Sequence, residues 1–117
     1  MYRTNKIEEI KDNIKDFVSD VVDETKIGSD EIVHGDMVIK TIPYVSGNNN
    51  HTIKFNINEY IEEPASEDEI YKAINEMEYF EVDNGIFTYK CEIYDWDFNK
   101  ETGELEINFI VYDVEVE

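Results

Sequence analysis

Residues 85–117 carry a two-residue alternation of apolar and polar side chains that only extended strands explain. Two runs show it, and their apolar positions are Phe87, Tyr89, Cys91 and Ile93, then Leu105, Ile107, Phe109 and Val111. The residues between the runs, 97–103, end in Gly103, which suits the positive φ that closes a short turn. Because a period of two places every apolar side chain on one face, the sequence predicts one long β-hairpin.

The alternation changes phase near the end of the second run. Val114 and Val116 cannot share a face with Val111 unless the strand carries one extra residue, so we expect a β-bulge near Tyr112 and Asp113. Beyond that bulge three acidic side chains should point away from the core, and they are Asp113, Glu115 and Glu117.

Helical periodicity predicts two helices. The first covers residues 5–24, with Asn5 and Glu8 as a loose capping pair. The second begins after Ser66, which forms a capping box with Glu69. Its apolar stripe is Ile70, Ala73, Ile74 and Met77.

A first hairpin is expected between the helices, with strands at 37–44 and 52–58 and a loop at 46–50. The predicted order is therefore helix, hairpin, helix, hairpin. We expect a single α+β domain over residues 1–117, in which two helices pack on an antiparallel sheet of about four strands.

The first helix has an apolar face and a back that is almost purely acidic. The acidic positions are Glu9, Asp12, Asp16, Asp20 and Asp23, here called the helix ridge. Three of them are like charges at i, i+4, which weakens a helix by roughly 0.2–0.5 kcal/mol per pair.

Composition makes this acidity a property of the whole chain. Of 117 residues, 29 are acidic and 10 basic, so the formal net charge is −19. That charge costs folding free energy by self-repulsion and exceeds the magnitude of roughly 2–8 that suffices for solubility. It argues against direct binding of nucleic acid or an anionic membrane. Since no signal peptide or long apolar run is visible, we expect a protein of the bacterial cytoplasm.

The spacing of the carboxylates favours one explanation of the charge. Acidic residues at i, i+4 on a helix lie about 6 Å apart, and those at i, i+2 on a strand about 6.8 Å apart. Phosphates advance about 3.4 Å each along a nucleic-acid axis, and the slanted backbone separates them by roughly twice that. The spacings fit phosphate mimicry, and the alternative is a solvated surface without a partner.

The second turn offers two further candidates. Tyr94, Trp96 and Phe98, beside Asp95 and Asp97, form either exposed anchors for a basic partner or a small satellite core. The same segment partly matches a calcium loop at Asp95, Asp97, Asn99, Glu101 and Glu106. Lys100 stands where that loop needs Gly, and strands flank it, so an ordinary polar turn is favoured. We expect no metal and no cofactor.

Catalysis has little support in the sequence. His34 and His51 are 17 residues apart, Cys91 lies on the predicted inward face, and no phosphate loop, nucleophile motif or zinc spacing is present. We therefore expect a binding protein and not an enzyme.

In size, excess charge, helix ridge and C-terminal carboxylates, the chain resembles the small acidic inhibitors of phages and mobile elements. These DNA mimics include anti-CRISPR and anti-restriction proteins. The resemblance implies that the partner is a basic nucleic-acid-binding protein, such as a nuclease or CRISPR effector, whose DNA or RNA site is blocked. The implied contact residues are the helix ridge, Tyr94, Asp95, Trp96, Asp97, Phe98, Asp113, Glu115 and Glu117. An immunity protein for a nuclease toxin and a non-inhibitory phage accessory module are the alternatives.

Overall fold

The computed structural model describes residues 5–117, which form two helices and two antiparallel sheets. The elements are α1 Lys6–Val21, β1 Ile27–His34, β2 Met37–Val45, β3 Asn50–Asn56, α2 Glu67–Glu76, β4 Tyr79–Asp83, β5 Phe87–Asn99 and β6 Glu104–Val116. Strands β1 and β2 make a two-stranded sheet, and the other four make a sheet of order β3-β6-β5-β4. The predicted α+β class is confirmed.

Both helices begin where their capping residues predict. The Asn5 side chain accepts a hydrogen bond from the Ile7 amide at 2.8 Å, whereas Glu8 forms an ion pair with Lys11 and not a reciprocal cap. At α2 the capping box is complete, because Ser66 and Glu69 each accept from the other's backbone amide. After α1, a single 3-10 turn at Val22–Glu24 leads to β1.

The core lies between the helices and one face of the four-stranded sheet. Buried side chains of α1 and α2 meet alternate residues of β3, β4, β5 and β6. The predicted inward positions of the long hairpin are confirmed, since Leu105, Ile107 and Phe109 are fully buried. No helix within residues 5–117 is long and apolar enough to cross a membrane.

The C-terminal hairpin has the predicted turn and the predicted bulge. Gly103 has a φ of +88°. Lys90 pairs with Asp113 and Cys91 with Val111, so Tyr112 is the extra residue. The resulting phase change buries Val114, as expected.

The predicted order of elements is wrong, and so is the first hairpin. β2 pairs with β1 instead of β3, and β3 pairs with β6 at the edge of the larger sheet. β1 was missed because its sequence, beginning Ile-Gly-Ser-Asp, resembles a loop and every residue from 29 to 34 is exposed. A strand that buries neither face leaves no alternation to detect. The five-residue strand β4 was missed as well.

The β1–β2 hairpin, residues 27–45, projects from this body and is called the arm below. Its base is fixed by Asn49, a buried polar residue. The Asn49 side-chain oxygen accepts from the Lys26 amide at 2.8 Å, and its carbonyl accepts from the Val111 amide of β6 at 3.1 Å. One asparagine therefore ties the arm to the central strand of the larger sheet.

Candidate acidic interface

The outer face of the four-stranded sheet, opposite the helices, is densely acidic. Strand pairing places nine carboxylates there, on residues Glu81, Asp83, Glu92, Asp95, Asp97, Glu104, Glu106, Asp113 and Glu115. Only two basic residues, Lys54 and Lys90, share that face within the described chain. We call this surface the acidic sheet face.

A further bulge, in β5, determines the direction of two of the nine carboxylates. Ile93 pairs with Phe109 and Asp95 with Asn108, so Tyr94 is an extra residue without a partner of its own. If Tyr94 were paired regularly and there were no bulge, continued alternation would turn Asp95 and Asp97 inward, on the side of Ile93. The bulge reverses the phase and turns both carboxylates outward.

The two lysines neutralise little of this charge. Lys90 lies 2.9 Å from Glu115 and 3.9 Å from Asp113, and Lys54 lies 3.5 Å from Glu104. The hydrogen bond that Lys90 donates to Glu115, together with the nearby acids, raises the pKa of Lys90 above its ordinary value, so it stays charged at neutral pH. Within residues 5–117, no lysine or arginine lies within ion-pair distance of the other six carboxylates.

One pair of cross-strand neighbours on the acidic sheet face carries like charges. Asp97 lies directly opposite Glu106, and Lys54 lies opposite Glu106 on its other side. Like charges directly opposite each other destabilise an antiparallel pair. This pair therefore lowers the stability of the sheet that carries it.

The predicted C-terminal row forms one corner of this face. Asp113, Glu115 and Glu117 are all exposed, as expected. Asp113 and Glu115 share Lys90, so this row is less negative than its sequence suggests.

The helix ridge lies on the other side of the molecule, because α1 covers the opposite face of the sheet. Asp12, Asp16 and Asp20 are exposed, and within residues 5–117 no basic group lies within ion-pair distance of them. Glu9 is half-buried. Asp23 has a structural contact, since it accepts a hydrogen bond from the Asn84 side chain at 2.8 Å.

The helix ridge comes close to the acidic sheet face at the end of β4. Asn84, the partner of Asp23, directly follows Asp83 at the end of β4. The ridge thus runs toward the β4 edge of the acidic sheet face, but the two surfaces point in different directions. A single flat groove cannot contact both along their full length.

The predicted aromatic group is divided by the bulge at Tyr94. Trp96 and Phe98 turn inward and pack against the core, as the satellite-core alternative expected. Tyr94 is 56% exposed. An open cleft of about 200 Å³ lies between α2 and β5, lined by Tyr71, Tyr94, Trp96 and Glu78 among others. The Trp96 and Tyr71 rings are 6.3 Å apart.

The remaining candidate residues have ordinary surroundings. Asn99 accepts hydrogen bonds from the Glu101 and Thr102 amides, which is the pattern of a polar hairpin turn. In the described part of the chain, no group of three or more His, Cys, Asp or Glu side chains has the arrangement of a metal site. Burial raises the pKa of the Cys91 thiol to about 12, so that thiol is not a nucleophile at neutral pH.

Comparison with known proteins adds no further constraint. The chain matches no protein-family model, and no curated protein or solved structure is detectably similar to it.

Proposed function

We propose that this protein binds the basic nucleic-acid groove of another protein and blocks it with carboxylates in place of phosphates. The partner would be a nuclease, a restriction enzyme or a CRISPR effector. The observation that carries the proposal is the acidic sheet face, which holds nine carboxylates and two lysines. A partner groove rich in Arg and Lys is the chemical complement of such a surface.

The spacing of the acidic sheet face supports mimicry of a phosphate backbone. Side chains on one strand repeat about every 6.8 Å, and neighbouring strands are about 4.8 Å apart. Phosphates of one nucleic-acid strand advance about 3.4 Å each along the axis, and the slanted backbone separates neighbouring phosphates by roughly twice that distance. A rigid sheet holds carboxylates at these distances with little loss of entropy on binding, because strand pairing already fixes their backbone.

The unfavourable like-charge pair also supports a binding role. Asp97 opposite Glu106 destabilises the sheet, and a neutral residue at either position would relieve it. Surfaces that cost stability are typical of functional sites. A merely solvated surface gives no reason to keep such a pair.

The cleft beside Trp96 offers the partner a contact with aromatic rings, which the carboxylates of the acidic sheet face do not provide. Exposed Tyr71 and Tyr94 flank it, with the Glu78 carboxylate alongside. Aromatic rings near a carboxylate suit the side chain of an Arg or Lys from the partner. We expect this contact to slow dissociation, because affinity among related complexes is set mainly by the off-rate.

Two triple variants with equal charge change test the proposal. One neutralises the acidic sheet face (Asp95→Asn, Asp97→Asn and Glu106→Gln), and the other the helix ridge (Asp12→Asn, Asp16→Asn and Asp20→Asn). A partner is first captured from a bacterial lysate, with duplex DNA added as competitor, and association is then followed by stopped flow at three salt concentrations. The sheet-face variant should lower the on-rate severalfold and reduce its salt dependence, and the ridge variant should have a smaller effect.

Equal loss with both variants would assign the effect to net charge alone. An on-rate that responds to neither variant nor to salt would contradict mimicry and favour an accessory module without inhibitory function. A captured partner that is a secreted nuclease toxin would favour an immunity protein, which uses the same chemistry. Tyr71→Ala, which removes a 60% exposed ring of the cleft, should mainly raise the off-rate in any of the inhibitory cases.

A further inference from the structure

The arm exposes apolar side chains along its whole length. Every residue from 29 to 42 is exposed. The arm has seven exposed large apolar side chains, which are Ile32, Val33, Met37, Val38, Ile39, Ile42 and Tyr44. Ile27 and Val45 at the base of the arm pack against the core, and β2 also runs close to β6. A two-stranded hairpin alone is only marginally stable in water, so an uncovered arm needs an explanation.

Strand pairing divides the arm into two faces. One face carries the opposed pairs Gly28–Tyr44, Asp30–Ile42, Ile32–Lys40 and His34–Met37. Its only formal charges at neutral pH are those of Asp30 and Lys40, which cancel. This surface, called the neutral arm face, is therefore largely apolar and without net charge in a protein whose net charge is −19.

We propose that the neutral arm face is a self-association surface, and that its occupant is the same face of a second copy of this chain. A two-fold axis places one patch against its own copy, so the patch must complement itself. A largely apolar surface without net charge does so, whereas the helix ridge and the acidic sheet face repel their own copies. A basic groove, the partner proposed for the acidic sheet face, offers no complement to four apolar side chains.

The available area suits a dimer of modest affinity. Ile32, Met37, Ile42 and Tyr44 are 46, 73, 39 and 43% exposed. At about 200 Å² for a fully exposed large residue, these four offer roughly 400 Å² per copy. With the flanking polar residues, two copies bury on the order of 1,000 Å², near the lower limit for a specific interface.

Charge predicts an unusual salt dependence for this dimer. Two chains of −19 repel each other, and the repulsion weakens as the Debye length falls from about 10 Å at 0.1 M salt to about 3 Å at 1 M. Apolar contact between the arms is not weakened by screening. Dimerisation should therefore strengthen with salt, whereas binding to a basic groove should weaken.

Sedimentation velocity of the full chain over a concentration series tests the proposal at about 0.1 M and about 1 M salt. We expect a monomer–dimer equilibrium that shifts toward dimer at high salt. The variant Ile32→Thr with Ile42→Thr should raise the dimer dissociation constant at least roughly tenfold. Thr keeps the β-propensity of Ile, and both residues are exposed, so the fold should persist.

Two controls separate this face from apolar exposure in general. Val33→Thr lies on the other face of the same arm, and Ile86→Thr alters a 63% exposed residue in the β4–β5 turn. Both should leave the dimer unchanged. A chain that stays monomeric at every concentration and salt would overturn the proposal, as would open-ended oligomers or equal effects of all three variants. The arm variants should bind a basic partner with the same on-rate as the native chain, so this proposal and the proposed function can fail separately.

Discussion

His51 lies at the base of the arm, where its Nε2 is 3.1 Å from the Thr25 hydroxyl and its ring is 5.3 Å from that of Phe109. Burial lowers its pKa below the ordinary 6.5, and nearby Glu24 only partly offsets this. The unfolded chain therefore takes up the proton first as the pH falls. The contribution of His51 to stability should decrease from about pH 6.5 down to its folded pKa and then stay constant.

Urea denaturation between pH 8 and pH 5 measures this effect when the native chain is compared with His51→Gln. Gln keeps a hydrogen-bonding group near Thr25 but does not titrate, so the difference in unfolding free energy between the two proteins should change in that window. His34→Gln is the matched control, because His34 is exposed in the arm. A pH dependence that His34→Gln removes and His51→Gln leaves intact would contradict the assignment.

Tyr94 shows why part of the candidate site was not predictable from sequence. One extra residue in β5 reverses which side chains face outward from Asp95 to Asn99. The bulge near Tyr112 was predictable, because the buried Val114 is out of phase with Val111. Beyond Tyr94 the inward side chains are aromatic and the outward ones are acidic. The opposite assignment, with the aromatic side chains exposed as anchors, was equally consistent with the sequence.

Gly103 closes the turn of the β5–β6 hairpin at a φ of +88°, and a Cβ there would collide with the side chains of Asn56 and Asn58. Gly85 has the same φ of +88°, but the space around its Cβ position is open. Gly85→Ala should therefore cost only the conformational strain of about 1–2 kcal/mol. Gly103→Ala should cost more, because it also disturbs two asparagines that support the chain before α2.

Thermal and urea unfolding of both variants measure these costs. The Asn56 side chain donates to the Thr102 carbonyl at 2.8 Å, and Asn58 accepts from the Ala65 amide at 3.0 Å. Asn58→Ala should therefore reduce the excess cost of Gly103→Ala in a double-mutant cycle. Equal losses for the two glycine variants would mean that the asparagines move aside at no cost.

Among the elements, those with one buried face were the predictable ones. α1, α2 and the β5–β6 hairpin combine clear periodicity with capping or turn residues. The pairing of β3 with β6 was not predictable, because it joins segments about fifty residues apart. The arm has the opposite difficulty, since its pairing is local but neither face is buried along most of its length.

At the scale of the whole molecule, net charge opposes folding as well as self-association. The described residues contain six ion-pair contacts, all with exposed or half-exposed acids. Such surface pairs contribute roughly 0–1 kcal/mol each. Repulsion among 29 acidic residues, opposed by 10 basic ones, should outweigh them. Salt screens both the repulsion and the ion-pair attraction, so its net effect on folding should be stabilising.

The free energy of unfolding in urea should therefore rise as monovalent salt increases from about 0.1 M to about 1 M, with an unchanged m-value. Urea is required because guanidinium chloride is itself a salt. The sheet-face and ridge triple variants each remove three negative charges, so both should be more stable than the native chain at low salt and gain less from added salt. The ridge variant should gain at least as much stability as the sheet-face variant, because it removes two like-charge i, i+4 pairs, whereas the sheet-face variant removes one like-charge pair and also the attraction between Lys54 and Glu106. A midpoint that falls with salt would mean that ion pairs outweigh repulsion, and the acidic sheet face would then impose no cost on folding.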